Sequence, residues 1–158
     1  MAVKCSVKDK NNLLSYNAWS CGSYSHDLTG MSDGTGQSTE VSNQYSEIGD
    51  SSFKITRNTN TQYWSEFRLN QQIVSFVANL TIYTPNNPVQ IVTVILYDDW
   101  SQNVASLNVP ANNESQHITL NSPFYDSTKT ILRITLRIAL PENVNDYCYI
   151  DNASIKPL

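Results

Sequence analysis

Residues 132–140 read Leu-Arg-Ile-Thr-Leu-Arg-Ile-Ala-Leu. On an extended chain Leu132, Ile134, Leu136, Ile138 and Leu140 fall on one side, and Arg133, Thr135 and Arg137 fall on the other. A period of two is the signature of a strand with one buried face, so the stretch predicts a half-buried strand whose outer face is polar and cationic. Residues 63–69 behave alike, with Tyr63, Ser65, Phe67 and Leu69 opposite Trp64, Glu66 and Arg68. Residues 73–83 set Val74, Phe76, Ala78, Leu80 and Ile82 against Ile73, Ser75, Val77, Asn79, Thr81 and Tyr83. Residues 91–96 are apolar on both sides, which predicts a place inside a sheet, beneath a loop.

Further strand-like runs lie at 3–7, 12–19, 39–41, 53–57, 90–97, 104–109, 117–120 and 147–156, and the strand of 132–140 extends back to 130. Residues 22–36, rich in Gly, Ser and Asp, read as an irregular loop. Breaks fall at Pro85-Asn86-Asn87-Pro88, at Pro110-Ala111-Asn112-Asn113, at Ser122-Pro123 and at Pro141-Glu142-Asn143. Nine or ten short strands separated by turn chemistry predict an all-β, antiparallel β-sandwich or barrel.

Composition agrees. Of 158 residues 40% are hydrophobic and 15% charged, against about 25% charged in an ordinary globular domain. Asn, Ser, Thr and Gln together number 58, and good helix formers are scarce. A net charge of −4, with six Lys and four Arg in no cluster, argues against nucleic acid and anionic membranes as partners. No apolar run approaches the roughly 18 residues of a membrane helix. Residues 1–10 carry charge without an apolar h-region, so no signal peptide is read there. The expectation is an extracellular domain, either a module of a larger secreted protein or a chain exported without a signal. Cys5, Cys21 and Cys148 lie outside any metal-binding spacing. They allow one disulfide, Cys21–Cys148 if the first and last strands are neighbours, or three unpaired thiols.

Catalysis finds little support. His26 and His117 are the only histidines, and no nucleophile elbow, zinc-binding helix motif or phosphate loop occurs. Asp98, Asp99, Glu66, Asp146 and Asp151 are too scattered for a recognisable acid–base pair. For calcium, Asp151-Asn152, Asp50 after Gly49, and Asn11, Asn12 and Asn17 supply oxygen donors; the same residues also serve as ordinary turn caps. The strongest signal is aromatic. Trp64 shares a face with Glu66 and Arg68, Trp100 ends the run Tyr97-Asp98-Asp99-Trp100, and Trp19 lies by the first strand. Sugars stack apolar CH faces on such rings and direct hydroxyls to charged and amide groups. The alternative is that Trp64 packs structurally with Arg68 lying over it.

In order and spacing, NLLSYNAWS at Asn12, GDSSFKIT at Gly49, YWSEFRL, IVSFVANLTIY and the closing YCYIDNASIKPL resemble the strands of galactose-binding-like carbohydrate-binding modules of families four, nine and twenty-two. The resemblance covers residues 11–158 and implies a two-sheet jelly roll, with residues 1–10 a preceding strand or linker remnant. It implies a structural calcium held by Asp151 and by Asp50 to Ser52. The family's opening carboxylate is missing, because Tyr16-Asn17-Ala18-Trp19-Ser20 stands in its place. It further implies glycan binding on a sheet face by Trp64, Glu66, Arg68, Arg133 and Arg137, or at loop tips, where Tyr97 and Trp100 lie. The function expected is a non-catalytic module for an oligo- or polysaccharide, extracellular or at a cell surface, beside further domains of a larger protein. The alternative is a structural or attachment domain of a virion or cell-surface adhesin on the same scaffold, which suits the Asn/Ser/Thr-rich composition.

Overall fold

The computed structural model describes Leu13 and residues 31–47 and 51–158, Met31 by its backbone alone. Ten strands follow one another among these residues: β1 Met31–Asp33, β2 Gln37–Ser42, β3 Ser52–Arg57, β4 Ser65–Ile73, β5 Phe76–Thr84, β6 Val89–Tyr97, β7 Gln102–Val109, β8 Asn112–Asn121, β9 Ile131–Ala139 and β10 Tyr147–Pro157. They form two five-stranded sheets, a front sheet of order β1-β4-β9-β6-β7 and a back sheet of order β2-β3-β10-β5-β8. Every pairing is antiparallel. The architecture is the expected jelly-roll sandwich.

The inward sides of the alternating strands make one core. Phe67, Ile91, Ile95, Ile134, Leu136 and Ile138 come from the front sheet, and Phe53, Ile55, Phe76, Ile82, Ile150 and Ile155 from the back. Completely burying a side chain of this size is worth about 1.5–3 kcal/mol, which is why each strand keeps a single face inward. Three expectations need correction. Residues 73–83 are not one strand: the chain leaves the front sheet after Ile73 and enters the back sheet at Phe76, so Val74-Ser75 is a corner between sheets. Residues 22–36 are not all loop, since 31–33 pair with β4. Leu132 does not share the buried face: a register shift between Ile131 and Arg133 turns Ile131 inward and leaves Leu132 half-buried. A bulge of this kind inserts an extra residue and reverses the alternation on its far side.

Cys148 is a free, buried thiol, and burial pushes it well above its ordinary titration range; the pairing expected with Cys21 falls on a residue outside those described. Cys5, Trp19, Cys21, His26 and Asp50 lie outside the described residues.

Candidate functional site

β4 and β9 are neighbours in the front sheet, with Glu66 opposite Arg137, Arg68 opposite Thr135 and Asn70 opposite Arg133. The intervening pairs Phe67–Leu136 and Leu69–Ile134 point to the core. Glu66, Arg68, Arg133 and Arg137 therefore share the outer face, as the alternation predicted. On the other side of β9 the same rows continue into Val92, Val94 and Leu96 of β6 and then Ser106, Val104 and Gln102 of β7. The face thus runs from charged to uncharged across the sheet.

Glu66 is the hub of the charged half. It is only 4% exposed. One carboxylate oxygen accepts a 2.9 Å hydrogen bond from Arg68 Nη2, and the other accepts from Arg137 Nη2 at 2.8 Å and Nε at 3.1 Å. Charge-assisted bonds of this length are the strong ones, and they compensate a carboxylate that burial would otherwise penalise. The guanidinium of Arg137 lies 4.9 Å from the centre of the Trp64 ring, within cation–π range. Trp64 is half-buried beside the β1–β2 turn, where its carbonyl accepts the Gly34 N–H at 2.8 Å. A Cβ at Gly34 would come 2.9 Å from the Trp64 ring and 2.0 Å from the Gln62 carbonyl oxygen, so only glycine fits. Trp64, Arg137, Glu66 and Arg68 form one connected assembly. Glu66 is consequently less open to a ligand than expected: its carboxylate orients two arginines.

The buried amide of Gln37 supports this corner, donating to Ser65 Oγ at 3.0 Å and to the Ile138 carbonyl at 2.8 Å. Arg133 is half-buried at the other end of the face and, among the described residues, forms no ion pair.

Tyr97 and Trp100 separate. Tyr97 is a core residue whose hydroxyl donates to the Phe124 carbonyl; the expectation that it meets a ligand is corrected, because alternation along β6 turns it inward. Trp100 is 79% exposed in the β6–β7 turn and has φ 64°, a left-handed conformation uncommon outside glycine. It lies beyond the Arg133 end of the face, away from Trp64, since Leu96 pairs with Arg133 and Val92 with Arg137. This turn is clasped to the β8–β9 loop by Lys129 Nζ–Asp99 Oδ2 at 2.8 Å. The hydrogen bond from Lys129, joined by those from Ser101, holds the Asp99 carboxyl well below its usual range.

The back sheet's outer face carries what the sequence reading missed. Tyr45 stacks on Tyr83 at 4.6 Å, Tyr149 packs 5.5 Å and 6.1 Å from those rings, and Tyr147 meets Tyr149 edge-on at 5.7 Å. The spacing of Tyr147 and Tyr149, two apart on a strand, was the available signal; the β2–β3 segment that brings Tyr45 over them had none. In that segment Glu47 reaches Thr81 and lies 3.2 Å from His117 Nε2.

Of the expected calcium donors, Asp151 and Ser52 are described and lie on this side. Asp151 is 1% exposed, and its two oxygens accept the N–H groups of Asn152 and Glu47, each at 2.8 Å. Ser52, one step beyond the Phe53–Ile150 pair, donates its hydroxyl to the Tyr45 carbonyl at 2.6 Å. Among the described residues no three His, Cys, Asp or Glu side chains are grouped to hold a metal, and these donors alone fall short of the six to eight oxygens calcium takes.

No family model matches the chain, and no curated protein matches it. Solved structures match in fold. A carbohydrate-binding module of the beta-sandwich superfamily superposes with a TM-score of 0.57 at 16% identity, over 88% of this chain and 62% of that one. The tailspike protein 4 of Bacteriophage CBA120 gives 0.62 at 13% identity over 94% of this chain and 22% of its own. The chain thus spans less than two thirds of both. The CBM22-1 xylan-binding domain from Paenibacillus barcinonensis Xyn10C gives 0.63 at 12% identity, over 96% of this chain and 97% of that chain. The fold is that of the jelly-roll carbohydrate-binding modules, the group its strand motifs resemble.

Proposed function

We propose that the protein is a non-catalytic carbohydrate-binding module, extracellular or at a cell surface, that holds an oligo- or polysaccharide on the outer face of the front sheet. The observation that carries this reading is the Trp64–Arg137–Glu66–Arg68 assembly. It supplies an aromatic ring and fixed hydrogen-bond donors side by side on a sheet face, the combination a sugar needs. Trp64 contributes stacking, Arg68 and Arg137 read hydroxyl positions, and Glu66 fixes both guanidiniums. Pre-ordering of these long side chains lowers the entropy lost on binding. The virion or adhesin alternative draws on the Asn/Ser/Thr-rich composition and on the tailspike likeness, which at 13% identity concerns the fold alone.

A glycan array paired with a melting curve on the Trp64→Ala variant tests this. The parent protein is expected to bind a glycan, and the variant to lose about 1–3 kcal/mol of binding across all its ligands. A parent that binds nothing, with a variant that merely melts lower, would overturn the reading in favour of a structural tryptophan.

Calcium at Asp151 and Ser52 is part of the same proposal. Support comes from a fully buried carboxylate, Asp151, one register step from the Ser52 hydroxyl, two oxygen donors of the kind calcium takes. The ion would tie the β2–β3 segment to β10, as a structural and not a catalytic centre.

A further inference from the structure

We infer that the glycan held on the front face is acidic, a polysaccharide bearing sugar carboxylates; this deepens the carbohydrate reading and rests on it. The chain has only four arginines. Arg57 is buried, bonded to the Leu140 and Thr59 carbonyls and stacked 3.9 Å from the Tyr63 ring centre, so it is structural. The other three, Arg68, Arg133 and Arg137, all stand on the outer side of β4 and β9. Against them that pair of strands sets one carboxylate, Glu66, already bonded to two of the three. Three guanidiniums and one carboxylate leave a local charge of +2 on a protein whose overall charge is −4.

That local sign governs binding, because exposed charges more than about 8 Å away are largely screened at physiological salt. The side chains of Arg68 and Arg137 are 50% and 39% exposed, so neither is used up by Glu66. Arg133 forms no ion pair among the described residues. Beyond its end of the face lie Asp98 and Asp99 of the β6–β7 turn and Asp126 of the β8–β9 loop; Asp99 is held by Lys129, and Asp126 accepts hydrogen bonds from Thr128. Arg133 and Arg137, four residues apart on β9, stand about 13 Å from each other along the strand, room for successive charged units of one chain. A guanidinium presents paired N–H donors that match a planar carboxylate. Neutral xylan offers only hydroxyls, which need no such concentration of positive charge.

The test compares polygalacturonate with its fully methyl-esterified form, which keeps the backbone and removes the charge, beside neutral xylan and dextran sulfate. Polygalacturonate is expected to bind at least tenfold more tightly than the ester, with affinity falling as salt rises. Arg133→Gln is expected to weaken polygalacturonate binding at least fivefold at unchanged melting temperature, whereas Lys156→Gln, which removes the same charge from the back sheet, leaves it unchanged. Equal affinity for acid and ester, equal losses in the two variants, or binding of dextran sulfate alone would overturn the acidic-carbohydrate inference. Binding of xylan without polygalacturonate would overturn it too, while leaving the carbohydrate-binding reading standing. A protein that binds none of these polymers and nothing on a broad array would defeat both.

Discussion

The two outer faces of the sandwich are built from the same alternation and end in opposite states. On the back sheet, four tyrosines contact one another, and the β2–β3 segment lies over them: Tyr45 stacks on Tyr83 and Glu47 reaches across to β5 and β8. On the front sheet, Glu66 holds the guanidiniums of Arg68 and Arg137, whose side chains nevertheless stay partly open to solvent. Aromatic residues on a sheet face are therefore not in themselves a binding signal. What distinguishes the faces is whether the protein's own chain satisfies them.

The comparison breaks most sharply at Tyr149, which is 5% exposed at the centre of the tyrosine cluster. Tyr149→Ala is expected to cost about 3–5 kcal/mol of stability, as truncation of a buried aromatic does. Glycan affinity, measured well below the lowered melting temperature, is expected to be unchanged; a parallel loss of affinity would show that the faces are not independent. Calcium comes next. Adding it to metal-free protein at a hundredfold excess over its dissociation constant is expected to stabilise by about 2.7 kcal/mol, seen as a raised melting temperature that a chelator reverses. Unchanged melting in chelator would overturn the calcium proposal.

On the front face Glu66→Gln is expected to cost about 2 kcal/mol, the scale of hydrogen bonds to charged groups, discounted because both arginines are partly exposed. Glycan affinity is expected to fall with it, since Arg68 and Arg137 lose their common anchor. A variant that is destabilised yet binds normally would show that the arginines need no fixing. The smallest effect belongs to the Asp99–Lys129 clasp. The Asp99 carboxyl is depressed chiefly by the hydrogen bond from Lys129, so its contribution is complete above the unfolded carboxylate range, near pH 4, and is lost as pH falls toward the depressed value. Acid titration followed by the indole signal of Trp100 is expected to show the β6–β7 turn loosening while β4 and β9 stay unchanged.

Much of this was legible from spacing. The period of two at 132–140 and 63–69 placed Trp64, Glu66, Arg68, Arg133 and Arg137 on outer faces, because core burial overrides every weaker preference on a two-sided strand. What spacing hides is anything that changes the count. The extra residue at Leu132 and the corner at Val74-Ser75 leave no mark in hydrophobicity: Leu132 keeps the alternation of 132–140 unbroken in the sequence, and Val74 and Phe76 continue that of 73–83. Pairing across strands is hidden as well. Nothing in the sequence announces that Glu66 faces Arg137, and that contact turns Glu66 from a supposed ligand reader into an internal anchor. Tyr97 fell to the same limit: a tyrosine before an acidic turn reads as exposed until its strand's register is known.

The Glu66–Arg137 bridge joins positions 71 residues apart. Contacts of that sequence separation form slowly, because a long loop must close before the bond rewards it. During synthesis the charged face therefore has no existence while only β4 has emerged; it appears when β9 arrives and docks. A nascent or truncated chain lacking β9 would carry Trp64, Glu66 and Arg68 without Arg133 or Arg137, so the proposed binding face would be complete only once β9 has docked beside β4.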